Sequence, residues 1–221
     1  MLVPFIGEDN SESFFNTDFN EAYHSKIGPI AEAKHKFIAP SCLEEYIKHG
    51  KKVKILDLFF GLGYNTGIAL ERAYAISNLP EIKIEVIEYD TNIIKQIKEL
   101  KVPDYYKKWQ EVLSKLENTN HISFDKVSIS LNICDANQII HTLPKNYYDV
   151  IFYDPFSHKT CPEFWMEEFL GQVFNLLSPN GTLTTYSGLK RVKKLAEDKG
   201  FTVTNIEPIG RKKPSLMIKA S

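Results

Sequence analysis

The stretch Lys54-Ile55-Leu56-Asp57-Leu58-Phe59-Phe60-Gly61-Leu62-Gly63-Tyr64-Asn65-Thr66-Gly67 constrains the fold more than any other, because an apolar run breaks into glycines and then resumes as an amphipathic pattern. Residues 53–58 predict a buried parallel strand. Gly61 and Gly63 permit a tight turn against a ligand, and Ile68, Ala69 and Ala73 share one face of the helix that follows. This is a turn for a nucleotide-type cofactor, and the turn alone does not say which.

The chain beyond it alternates. Residues 82–88, 127–133 and 148–153 read as strands, 92–100 and 136–142 as helices, and 162–177 as a helix with Phe164, Phe169, Val173, Phe174 and Leu177 in a stripe. A turn at 179–181 leads into a strand at 182–186. A helix at 189–199 is closed by Gly200, and strands at 201–206 and 215–219 end the chain. Alternation of this kind predicts a doubly wound α/β sheet, mostly parallel, with ligands beyond the C-terminal strand ends. The last two strands are joined too closely for a parallel crossover and must form an antiparallel hairpin, the layout of class I methyltransferases with their Rossmann-like sheet. Ahead of this unit, 51–221, an N-terminal extension, 1–50, is expected to pack on it: an irregular, aromatic-rich stretch to about Gly28, then helical signal at 29–38 and, after Pro40, a capping-box spacing at Ser41-Cys42-Leu43-Glu44. Residues 104–116, with Tyr105, Tyr106 and Trp109, read as an extra helix outside the alternation.

Bulk properties narrow the class. With 221 residues, 43% hydrophobic and 25% charged, the chain fits one well-buried domain, and a formal charge of −1 gives no global attraction for nucleic acid. Local basic clusters remain at Lys190, Arg191, Lys193 and Lys194 and at Arg211, Lys212 and Lys213, either as phosphate contacts or as solvated faces. Cys42, Cys134 and Cys161 are odd in number and far apart, which argues for a reducing compartment. Six histidines lack metal-ligand spacing, so no metal is expected. No segment has the ~20 apolar residues of a membrane span, and a cytoplasmic protein is expected.

Carboxylates follow three successive strands. Asp57 is placed to face the ammonium of S-adenosylmethionine, Glu88 to accept from ribose hydroxyls, and Asp135 to accept from the adenine amine or to cap the next helix. An acid-rich pocket suits a cationic sulfonium better than a pyrophosphate. The fourth strand ends in Tyr153-Asp154-Pro155-Phe156-Ser157, similar to the [Asp/Asn]-Pro-Pro-[Tyr/Phe] turn of nucleobase amino-methyltransferases: Asp154 would meet an amine and Phe156 a flat base. For an alkyl amine with a pKa of ~10.4, only about one molecule in 10^3 is neutral at pH 7, a cost of roughly 4 to 5 kcal/mol. Asp154 must therefore accept or orient a proton.

Several blocks are more specific: Asp18-Phe19-Asn20-Glu21-Ala22-Tyr23-His24-Ser25, Glu32 ahead of Phe37, Gly61-Leu62-Gly63-Tyr64-Asn65, Asp154-Pro155-Phe156-Ser157 with Pro162 and Trp165, Ser187-Gly188, and Gly210-Arg211-Lys212-Lys213. Together they resemble the MnmC-type methyltransferases, which use S-adenosylmethionine to convert 5-aminomethyl groups on tRNA wobble uridine to 5-methylaminomethyl groups. The resemblance implies that Tyr23, Glu32, Gly61, Gly63, Asn65, Glu88 and Asp135 line the cofactor site, that Asp154 and Phe156 meet the aminomethyluridine, and that the 104–116 helix belongs to a substrate-side lid. With tRNA as partner, Lys190, Arg191, Arg211 and Lys212 are the expected phosphate contacts. Phe59 departs from the family, standing where a glycine is usual. The turn must tolerate its side chain or swing it into the core. Larger relatives carry a fused flavin oxidase domain; none is expected here, so the substrate would arrive as the free aminomethyl form.

Other readings predict different features. A nicotinamide-dependent oxidoreductase would need a hydride-transfer set that the sequence does not offer, and an aminopropyltransferase would need more acids beside Asp154. Another nucleobase amino-methyltransferase stays close. A non-catalytic tRNA-binding module would have no affinity for S-adenosylmethionine.

Overall fold

The structure, a computed structural model, describes residues 1–100, 107–116 and 119–221. Its first residues are not the irregular stretch expected. They form three antiparallel strands, β1 (Leu2–Ile6), β2 (Glu12–Asn16) and β3 (Glu21–Ala22), paired in that order, with Leu2 opposite Asn16 and Phe15 opposite Ala22. Pro4 lies in edge strand β1, where a missing N–H is tolerated, and its presence hides the strand from a pattern reading. The helical part then runs through α1 (Pro29–Glu32), a π turn over Ala33–Ile38, a 3-10 turn over Ala39–Ser41, and α2 (Leu43–Lys48). The expected capping box does not form. Ser41 Oγ accepts the Leu43 N–H at 3.3 Å and donates to the Ile38 carbonyl, while Glu44 turns outward to Arg72 at 2.6 Å.

Among the described residues the main sheet has eight strands: β4 (Val53–Leu58), β5 (Ile82–Glu88), β6 (His121–Phe124), β7 (Val127–Ile133), β8 (Tyr148–Tyr153), β9 (Leu177–Thr185), β10 (Thr202–Ile206) and β11 (Ser215–Lys219). Their order is β10-β11-β9-β8-β4-β5-β7-β6. Pairs β4/β5, β4/β8, β5/β7 and β8/β9 are parallel; β11 runs antiparallel between β9 and β10, as the short connection requires, and β6 adds an antiparallel edge.

Helices cover both faces, and strand parity decides which residues meet them. Val53 and Ile55 of β4 join Val150 and Phe152 of β8 in one core, under the helical segment 29–41, α3 (Tyr64–Tyr74), α4 (Ile93–Glu99) and α5 (Lys107–Leu116). Leu56, Leu58, Ile151 and Tyr153 point the other way into a second core, with α6 (Ala136–Ile139), α7 (Glu167–Phe174) and α8 (Lys190–Asp198). Phe14 of the N-terminal strands belongs to the first core. The helix expected over 162–177 is split: a 3-10 turn spans Pro162–Trp165, Met166 is extended, and α7 starts at Glu167. Tyr105 and Tyr106 lie outside the described residues; Trp109 of α5 is buried against Phe60. Among the described residues, no helix is long and apolar enough to cross a membrane.

Candidate active site

Because β4, β5, β7, β8 and β9 are parallel, the loops after them open on one edge of the sheet. There they surround a cavity of about 500 Å3, lined as well by residues of the N-terminal segment.

One wall is built by the glycine turn and its neighbours. Gly61 (φ 54) and Gly63 (φ 73) are left-handed, and a Cβ on Gly63 would strike Trp109 and Phe60. A Cβ on Gly61 would project into the space between the turn and the Tyr23 ring, 3.3 Å away, so bare backbone faces the cavity. Glu88, at the end of β5, accepts from the N–H groups of Gly61 (2.7 Å), Tyr89 (2.8 Å) and Asp90 (2.8 Å). Burial raises its pKa, and these three donors work against that rise. Three of the four lone-pair sites are thus occupied, which leaves room to accept one ligand hydroxyl rather than both of a diol. Asp135 also lines the cavity and caps α6 through the Asn137 N–H at 2.8 Å, so cap and ligand contact are compatible uses of its two oxygens.

One residue of this wall, Asp57, differs from the sequence expectation, and another, Phe59, takes the second of its two expected courses. Asp57 does not reach the cavity. It shares parity with Val53 and Ile55, so its carboxylate points under α3, fully buried, where Thr66 Oγ1 donates to Oδ2 at 2.6 Å and Oδ1 has no partner. Burial pushes its pKa up to about 8, against the Thr66 hydrogen bond, and favours the neutral acid. Phe59 is itself left-handed at φ 74, a costly conformation for a bulky residue. Its ring swings into the second core, with centroids 4.5 Å from Phe164, 5.6 Å from Tyr153 and 6.2 Å from Phe169.

The opposite wall carries Asp154 and Phe156, directly after β8. Asn65, at the start of α3, donates to Asp154 Oδ2 at 3.0 Å. Burial, then the nearby Glu32 carboxylate, pushes the Asp154 pKa up to about 7. Glu32 behaves in the opposite sense: burial alone would raise its pKa, but Lys36 first and then His24 and Ser25 outweigh it, so the pKa falls. Lys36 is fully buried and sits 2.7 Å from Glu32 Oε1; Ser25 donates to that same oxygen through N–H (3.2 Å) and Oγ, so these contacts leave Oε2 to the cavity. The π turn carries Lys36 inward, as π bulges at functional sites do. Burial keeps His24 neutral, with its pKa down to about 4, and raises that of Tyr23 to about 12.

The loop after Asp154 is held from across the molecule. Glu21 of β3 accepts from Ser157 N–H (3.0 Å), Ser157 Oγ (2.8 Å) and Thr160 Oγ1. Phe156 packs against Phe19 (4.9 Å) and Tyr23 (5.0 Å), and its carbonyl accepts from Trp165 Nε1, in the 3-10 turn ahead of α7, at 2.8 Å. Sequence reasoning gave no role to Glu21 or Lys36. Lys36 left a trace, the i,i+4 spacing after Glu32; Glu21 left none beyond its place in the aromatic block.

The basic residues divide. Arg211 precedes β11, whose Leu216 pairs with Thr185 at the end of β9, so it stands at the cavity edge with its guanidinium 4.4 Å from the Tyr186 ring centroid. Lys212 is exposed beside it, and Lys190 is exposed at the start of α8. Arg191 lies instead in a separate groove with Glu163, Glu167 and Glu168, whose negative charge weakens any pull on phosphate.

A family model described as S-adenosyl-L-methionine-dependent methyltransferase matches residues 95–221, more than half of the chain. The chain belongs to that methyltransferase family. The methyltransferase is similar to the crystal structure of MnmC2 from Aquifex aeolicus, with a TM-score of 0.86 and 28% identity over 99% of this chain and 70% of that one. It is 29% identical over 212 residues to the uncharacterized protein MJ0670 of Methanocaldococcus jannaschii, covering 93% of this chain and 56% of that protein. It is 28% identical over 192 residues to the tRNA 5-methylaminomethyl-2-thiouridine biosynthesis bifunctional protein MnmC of Campylobacter hominis, covering 86% of this chain and 28% of that protein. The chain therefore spans only part of the curated relatives it matches. The MnmC-type resemblance in the sequence and the class I fold agree with these likenesses. The cavity also fits S-adenosylmethionine: bare glycine backbone, one remaining acceptor site on Glu88, the free oxygen of Asp135 and an anionic Glu32 suit a cation joined to a nucleoside.

Proposed function

We propose that this methyltransferase methylates the primary amine of 5-aminomethyluridine, with or without a 2-thio group, at the tRNA wobble position in the cytoplasm. The observation that carries this reading is the pair of cavity carboxylates whose pKa values are driven apart beside an aromatic platform: Glu32 held ionised by Lys36, Asp154 raised to about 7, and Phe156. The likeness to MnmC2 and to the MnmC proteins supports the choice of acceptor.

When bound, S-adenosylmethionine supplies an electrophilic methyl group on a sulfonium. In this reading ionised Glu32 faces the cationic cofactor, and Asp154 meets the substrate ammonium. Asp154 then takes a proton from it onto Oδ1, since Asn65 occupies Oδ2. For an ordinary aspartate near 3.9 and an amine of ~10.4, that transfer is uphill by about 9 kcal/mol. With Asp154 at about 7 the cost falls to roughly 5 kcal/mol, small enough for a productive reaction. Phe156, backed by Tyr23, packs on the pyrimidine and aims the freed lone pair, so that positioning contributes most of the remaining acceleration. In this reading residues 1–50 complete the catalytic unit, since Tyr23 and Glu32 line the cavity. The test is incubation with methyl-labelled cofactor and tRNA bearing 5-aminomethyluridine. Label in 5-methylaminomethyluridine is expected; no label in either the tRNA or the free nucleoside would reject the acceptor.

A further inference from the structure

Phe19 is 43% exposed, one of the few large apolar side chains left to solvent among the described residues, and it stands at the mouth of the cavity. It is held in place rather than loose. Asn16 Oδ1 accepts from the N–H groups of Asp18 (3.0 Å) and Phe19 (3.4 Å), and the Thr17 N–H donates to the Met1 carbonyl at 3.0 Å. The ring rests on Phe156, with centroids 4.9 Å apart and planes 30° from each other. From Phe156 the rim continues through Pro155, whose carbonyl accepts from Tyr186 at 3.0 Å, to Arg211 over the Tyr186 ring, with Lys212 and Lys213 exposed in the same turn. An aromatic arc thus ends in an exposed ring on one side and in cations on the other.

Resting on the reading above, in which Phe156 meets the target base, we infer that Phe19 is a stacking platform for a nucleobase flanking the modified one, while Arg211 and its neighbours hold the phosphate backbone. A rigid aromatic ring accepts any base, because every base has a π face, and adjacent cations favour a polyanion over an apolar peptide as occupant. A base stacked on Phe19 and its neighbour packed on Phe156 would lie on two rings already in contact, so the protein substitutes for the stacking that the RNA gives up.

The experiment measures binding of the full-length chain to an anticodon-type RNA stem-loop by fluorescence anisotropy, without requiring methyl transfer. Phe19→Ala is expected to weaken affinity about 5- to 100-fold, and Phe19→Trp to retain it. In the wild type, an abasic residue on one side of the target uridine should cost as much as Phe19→Ala, and the two losses should not add. An unchanged thermal midpoint for Phe19→Ala controls for folding. Equal affinity of Phe19→Ala and wild type, or losses that add, would overturn the inference. A chain that binds the stem-loop through Phe19 but never methylates its aminomethyl group would sink the acceptor assignment alone; no RNA binding at all would sink both.

Discussion

The two walls of the cavity are built by different means. On the glycine-turn side, Gly61, Gly63 and Glu88 come from one β-α-β unit, and Glu88 is locked by three backbone N–H groups of its own neighbourhood. On the opposite side, Asp154 and the loop after it are held by groups remote in the chain: Asn65, Glu32 and, 136 residues before Ser157, Glu21. A wall made of local backbone is rigid wherever the fold forms. A wall assembled from distant side chains can be tuned, and Asp154 shows the result, a carboxylate whose proton affinity is set by its surroundings rather than by its own chemistry. Under the proposed roles of the two walls, the difference predicts that cofactor binding and chemistry can be damaged separately.

The harshest test of that separation is Asp154→Asn. It removes the proposed proton acceptor and should lower kcat by about 10^2- to 10^4-fold, while calorimetry finds cofactor affinity within about threefold of wild type. In the wild type, kcat/KM should rise with pH through about 7 as Asp154 ionises, and the variant should lack this limb. A matching loss of cofactor affinity would merge the two walls into one.

A smaller effect is expected from Glu21→Gln, which turns an amide N–H toward donors that need an acceptor. Misplacing the Asp154-Phe156 loop by a fraction of an ångström should cost roughly 10- to 100-fold in kcat/KM for the acceptor. Cofactor affinity should hold, and Glu21→Asp should recover part of the loss. Equal damage to both substrates would show that β3 merely supports the fold.

The finest test lies on the local wall. Phe59→Ala removes a well-packed ring and keeps the left-handed strain, whereas Phe59→Gly removes both. Both should destabilise in urea, and the glycine variant should be the more stable of the two by about 1 kcal/mol. The reverse ranking would mean that the turn relaxes out of φ 74 once the ring is gone.

Much of the fold was legible because its signals are local. The apolar run at 53–58, the glycines after it and the short link between the last two strands carry their consequences within a few residues. Asp57 follows the two-residue period of its strand: parity with Val53 and Ile55 sends it under α3, although it stands next to the turn in sequence. The N-terminal strands were missed because Pro4 and adjacent apolar residues blur alternation, and their stability comes from packing Phe14 into the core.

The sequence by itself determined the layered α/β architecture, the glycine turn, and acids after successive strands, since each depends on side-chain periodicity or backbone freedom along one stretch. Only the tertiary structure decided which acids face the cavity, that Phe59 escapes its turn by entering a core, that Lys36 sits beneath Glu32, and that Glu21 holds the loop after Asp154. The physical reason is desolvation: proton affinity and hydrogen-bond partnership are set by what burial removes and what distant segments supply, and neither is written at the residue itself.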